Sequence, residues 1–260
     1  MSEPTVAVRD ATTASTGEDP LARERRFVLD IARRARAEPG ARAALRSGIG
    51  KDVDAAPRMH AVVQRALPDG VAESDAAYYA VASLVASLST GDLDALLEKA
   101  DRKAHDNDAE AAENPEDSDQ TANGAGGTEK TSRPPEQKYG NTLGLTFAQA
   151  VTGRAASVST SGSPLLEHSA ETRLTALTRQ SPTGLRRHLP HAVRLLASAP
   201  VTIDFPRLLR DLRRWPHHRP DITRRWLQDF YRELRRAAEE EARNRDDAET
   251  SGTSPAADLA

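Results

Sequence analysis

The strongest constraint on how this chain can fold is a run from Ala104 to Gln137. There Asp-Asn-Asp, Asn-Pro-Glu-Asp, Gly-Ala-Gly-Gly and Arg-Pro-Pro-Glu follow one another without a hydrophobic face. Such a stretch cannot bury enough apolar surface to offset the entropy of ordering it, so residues 104–138 read as a flexible acidic linker. The folding material must then come from two flanking stretches, 21–103 and 139–243. Residues 1–20 are Thr, Ser, Ala and acid with no apolar period, and 244–260 are similar, which predicts disordered tails.

Both flanking stretches read as helical. The chain is 38% hydrophobic with only 4% aromatics, and its preference for alanine, leucine and arginine favours helix over pleated sheet. In the first half, Phe27, Ile31 and Ala35 recur at helical spacing beside Arg26, Arg33, Arg34 and Arg36, until Pro39-Gly40 stops the helix. Short helices follow over 41–48 and 57–66. Ser74 or Asp75 can cap a fourth, and the nearly uncharged segment from Tyr78 to Leu88 is expected at the centre of its bundle.

The second half opens with a helix over 143–151, then a Ser/Thr/Gly loop over 157–164 and a helix from about Pro164 carrying Leu165, Leu174 and Leu177. Thr183 is the expected cap of a helix with Leu185, Leu189, Val193 and Leu196, which Pro190 should kink or divide. Asp204 caps the next helix, with Pro206 in its first turn and Leu208, Leu209, Leu212 and Trp215 inward. A last helix, from about Asp221, carries Trp226, Phe230, Leu234 and Tyr231, and the helical spacing of these aromatics assigns them to packing. The predicted fold class is all-α, two small helical bundles joined by the linker.

Charge is sorted along the chain. The formal total is −3, yet residues 21–68 hold 11 Lys and Arg against 5 Asp and Glu, or +6, and residues 139–236 hold 16 against 7, or +9. The acid lies in the tails, the linker and 69–100. Basic folded segments of this size create a field suited to phosphate. Arginine codon preference accounts for a high Arg-to-Lys ratio but not for this segregation. Arg-Arg pairs at 33–34, 186–187, 213–214, 224–225 and 235–236 supply fork-shaped donors. Any one arginine can instead have a local partner, such as Arg207 with Asp211 at i,i+4.

Catalytic chemistry finds little support. With no cysteine, disulfides, thiolate metal sites and cysteine nucleophiles are absent, which fits a reducing compartment. No glycine-rich phosphate loop stands between a strand and a helix. His188 and His191 stand three apart and His217-His218 share a turn, but no third ligand is evident from spacing, so no metal site, cofactor site or catalytic residue is assigned. No stretch approaches the roughly 20 apolar residues that cross a bilayer. The reading is a cytoplasmic protein with no membrane partner.

The order of these segments carries a resemblance. Val201-Thr202-Ile203-Asp204-Phe205-Pro206-Arg207-Leu208-Leu209-Arg210-Asp211-Leu212-Arg213-Arg214-Trp215, followed by Arg224-Arg225-Trp226-Leu227-Gln228-Asp229-Phe230-Tyr231, resembles the closing signature of the CasB family, the small subunit of the type I-E CRISPR Cascade complex. Pro39 through Arg46, Tyr79-Ala80-Val81-Ala82, Asn141-Thr142-Leu143-Gly144 and Leu185 through Leu196 support it, in the same order. The resemblance implies two packed helical bundles and a non-catalytic subunit present in two copies, with other Cascade subunits and guide RNA as partners. It implies contacts to the target DNA strands of the R-loop, where guide pairing reads sequence and protein supplies shape and charge. The acidic insertion at 101–138, Pro190 and the long tails depart from the pattern. The nucleic-acid contacts expected on this basis are Arg42 and Arg46 first, then Arg207, Arg210 and Arg214, then Arg224 and Arg225. The competing reading is a helical adaptor whose basic faces meet acidic proteins without touching nucleic acid.

Overall fold

A computed structural model describes residues 19–72, 75–112, 139–153 and 163–252. Residues 1–18, Ser74, linker residues 113–138, most of the expected Ser/Thr/Gly loop and residues 253–260 lie outside them. Among the described residues the chain is all-α: nine helices and a short 3-10 turn, without a strand.

Helix α1 (Ala22–Ala37) buries Phe27, Val28, Ile31, Ala32 and Ala35, the stripe that the sequence spacing predicts. Pro39 stops α1 and also starts α2 (Pro39–Arg46). A first-turn position suits its fixed φ and missing N–H, and Pro57 opens α3 (Pro57–Val63) in the same way. Helix α4 (Ala76–Ser87) is capped by Asp75, which accepts from the Ala77 N–H at 3.0 Å. Its buried positions from Ala77 through Ala86 surround the helix, which places it at the centre of the N-terminal group. After a 115° turn, α5 (Thr90–Ala112) runs into the segment read from sequence as linker.

Helix α6 (Leu143–Thr152) is capped by Thr142 and closed by Gly153 at φ 68°. Helix α7 is Glu167–Thr178. Helix α8 (Pro182–Ala197) departs from expectation twice. Its cap is Ser181, which accepts from the Gly184 N–H at 3.1 Å and leaves Pro182 at the favourable first position, so Thr183 falls inside the helix. Pro190 neither breaks nor divides it. An interior proline costs about 3 kcal/mol. Burying Leu185, Leu189, Val193 and Leu196, at about 1.5–3 kcal/mol each, outweighs that cost.

The last two helices stand as read from sequence and are labelled together as α9 (Phe205–Gly252): a first arm from Phe205 and a second arm beyond a break where His218 takes non-helical angles between Pro216 and Pro220. In a straight helix residues 211 and 226 would lie about 22 Å apart. Here the Trp226 indole N–H donates to the Asp211 carboxylate at 2.8 Å, and the Trp215 and Trp226 rings are 5.1 Å apart. The two arms of α9 therefore fold back on one another.

The two helical groups share one core. Buried residues from α1 and α4 join those of α6–α9 in a continuous cluster, and Phe27 packs edge-on to Tyr78 at 4.7 Å. Arg213 of α9 reaches into the seam, bonding Glu24 at 3.2 Å and Asp75 at 3.3 Å. No single described helix is long and apolar enough to cross a membrane.

Candidate nucleic-acid interface

Folding α9 on itself creates a groove of about 750 Å³. One wall is the first arm of α9, bearing Arg207, Arg210 and Arg214 at i, i+3 and i+7, and the other is the second arm, bearing Arg225, Arg232 and Arg236 at i, i+7 and i+11. Helical periodicity puts each set on one face of its arm. Residues Tyr139 to Thr142 and the start of α6 form the floor and end.

That floor is fixed by backbone contacts. Asp204 caps α9 by accepting from the Arg207 N–H at 3.0 Å, and its other oxygen accepts from the Asn141 N–H at 3.0 Å. Gly140 between them has φ 76°, and a Cβ there would meet the Asp204 carboxylate. The Thr142 hydroxyl donates to Asp229 at 2.6 Å while accepting from the Leu145 N–H, which ties α6 to the second arm. Gly144 allows the closest approach: an added Cβ would lie 1.8 Å from the Trp226 carbonyl oxygen.

The groove contains acid as well as base, so its charge is the residue of partial neutralisation. Arg207 is 4% exposed and Asp211 3%; they pair at 3.1 Å, and Arg207 also donates to the Tyr139 carbonyl at 3.1 Å. Burial pushes the Asp211 carboxyl above the ordinary carboxylate range, against the opposing pull of Arg207, the Trp226 N–H and Arg225. Arg232 lies 3.5 Å from Asp229, and Arg236 donates to Glu233 at 2.8 Å, which raises the Arg236 guanidinium above its usual value. Arg210 stacks over the Tyr139 ring at 4.6 Å and donates to the Pro20 carbonyl at 3.3 Å. Arg214 and Arg225 are both exposed; among the described residues Arg214 has no carboxylate partner, while Arg225 acts on the buried Asp211. They are the groove's exposed cations outside its close ion pairs.

The residues singled out from sequence therefore separate. Arg207, Arg210, Arg214 and Arg225 share the groove. Arg224, one step from Arg225, does not line it and lies 3.8 Å from Asp221. Arg42 and Arg46 on α2 are not groove residues either. Arg42 is spent on the C-terminal end of α4, donating to the Ala86 and Leu88 carbonyls and to the Thr90 hydroxyl, while Arg46 is exposed and has no partner among the described residues. Trp215, Trp226 and Phe230 are buried as the helical spacing predicts. Tyr231 is not: it is 48% exposed, and its hydroxyl donates to Glu171.

Sequence reasoning missed Tyr139, Arg232 and Arg236. The two arginines repeat the phase of Arg225 and were open to discovery by that test. Tyr139 carries no periodic signal. His188, His191, His217 and His218 are exposed, and among the described residues no three His, Cys, Asp or Glu side chains form a group that could hold a metal ion.

Comparison with known proteins sets this geometry in a family. The model for the CRISPR-associated protein Cse2 matches residues 41–231. A solved chain described as "CRISPR RNA-guided surveillance complex, pre-nicking" aligns at 30% identity over 85% of this chain and 98% of its own, with a TM-score of 0.59. Another, described as "CRISPR RNA-guided surveillance complex", aligns at 28% identity over the same shares, 85% and 98%, with a TM-score of 0.57. CasB of M. ruber shares the fold at 23% identity, with a TM-score of 0.51, over 85% of this chain and 97% of its own. No curated protein sequence matches this chain.

Proposed function

This chain belongs to the CRISPR-associated Cse2 family, and on that footing we propose that it serves as the small, non-catalytic subunit of a type I-E CRISPR surveillance complex in the cytoplasm. Its partners are the other subunits, the guide RNA, the target DNA and a second copy of itself. The α9 groove holds nucleic-acid backbone and so stabilises the R-loop.

The observation that carries this reading is the set of arginines along one groove. Arg214 and Arg225 line it from its two walls outside its close ion pairs, with Arg210, Arg232 and Arg236 alongside. Guanidinium forks match phosphate oxygens and carry no base preference. Such a surface adds affinity, and leaves sequence to the paired guide.

The test is the salt dependence of binding by the full chain, alone and within the assembled complex. Each phosphate neutralised contributes about 0.7–0.9 to the slope of log affinity against log salt. Replacing Arg214 and Arg225 together by alanine should lower that slope by about 1.4–1.8. An unchanged slope and affinity would remove the groove from the interface. Absence of salt-sensitive binding by the unmodified chain would favour the protein adaptor.

A further inference from the structure

We propose that Tyr139, backed by Arg210, is a stacking platform for one unpaired nucleobase, so that the groove discriminates a single strand from a duplex. This rests on the reading of the groove as a backbone-binding surface and adds what the groove does with a base.

The aromatic residues of this protein are mostly hidden in its core. Of the aromatic side chains that stand exposed among the described residues, Tyr139 at 38% and Tyr231 at 48%, only Tyr139 lines the groove. Tyr231 spends its hydroxyl on Glu171, whereas the Tyr139 hydroxyl has no hydrogen-bond partner among the described residues. The backbone that carries Tyr139 is also held in place. Its carbonyl accepts from Arg207, which is locked to Asp211, and the next residue but one is tied to Asp204.

The Arg210 guanidinium lies 4.6 Å from the ring centroid and is itself anchored to the Pro20 carbonyl. A cation over one face leaves a rigid aromatic plane beside phosphate-binding arginines. Single-strand sites combine a cationic track with an aromatic plane of this kind, and every base has a face that can use it. A paired base stacked within a duplex cannot reach it.

Three probes separate the base from the backbone: an ordinary single-stranded DNA, a strand of equal length built of abasic residues, and the matching duplex. Tyr139→Ala in the full chain should weaken binding to the ordinary strand by about five- to a hundredfold, the loss of one stack. Binding to the abasic strand and the duplex, and the salt slope, should stay as in the unmodified chain. Tyr139→Phe, which keeps the plane, should bind the ordinary strand normally.

If Tyr139→Ala weakens ordinary and abasic strands alike, or neither, the platform is refuted. Equal losses for Phe and Ala would also refute it, since the hydroxyl rather than the ring would then be the contact. Failure of the groove itself has a different signature. Arg214→Ala with Arg225→Ala would then leave both strands and the salt slope unaffected, which would overturn both proposals.

Discussion

The fold-back of α9 hangs on a buried trio, and removing its carboxylate should be costly. Asp211 accepts from the Arg207 guanidinium at 3.1 Å and from the Trp226 indole at 2.8 Å. Asp211→Ala leaves a guanidinium that is 4% exposed without its counter-ion, and breaking a buried pair from one side costs about 3–5 kcal/mol. At a urea m-value of about 2 kcal/mol/M, the unfolding midpoint should fall by about 1.5–2.5 M. The Arg207→Met, Asp211→Leu double variant removes both charges, so the residual loss should be about 1–3 kcal/mol for the orphaned Trp226 N–H. It should therefore be more stable than Asp211→Ala. A double variant as unstable as the single one, or a single variant within about 0.5 kcal/mol of the unmodified chain, would refute this account of the hairpin.

Arg42→Ala uncovers the Ala86 and Leu88 carbonyls and should cost about 1–2 kcal/mol, while the salt slope of binding stays unchanged. Gly144→Ala drives a methyl group into the Trp226 backbone and should destabilise by about 1–3 kcal/mol, seen as a lower Tm.

Much of the helical frame was readable from sequence because periodicity and capping are local. Asp75 and Asp204 cap as their positions predict, and the leucine stripe of α8 is buried as spaced. Pro190 shows where local rules end. Its cost is fixed by the backbone, but the gain that outweighs it comes from neighbours supplied by other helices. Pro216 and Pro220 signal the interruption that separates the last two helices at His218, but the return of the second arm along the first depends on Trp226 finding Asp211 across the fold.

The groove was only half visible, for a geometric reason. Adjacent residues on a helix point about 100° apart, so an Arg-Arg pair cannot aim two forks at one phosphate track. The structure divides each pair on α9 accordingly. Arg213 enters the seam with Glu24 and Asp75 while Arg214 faces the groove; Arg224 lies by Asp221 while Arg225 faces the groove; Arg235 lies 3.9 Å from Glu239 while Arg236 faces the groove. Counting basic residues by segment gives +9 over 139–236, but only one member of each of these pairs contributes to the shared surface, and Asp211, Asp229 and Glu233 line it too. What the sequence predicts as a charge density becomes a narrow cationic track, set by the phase of single arginines and by the bend that brings two helical faces opposite each other.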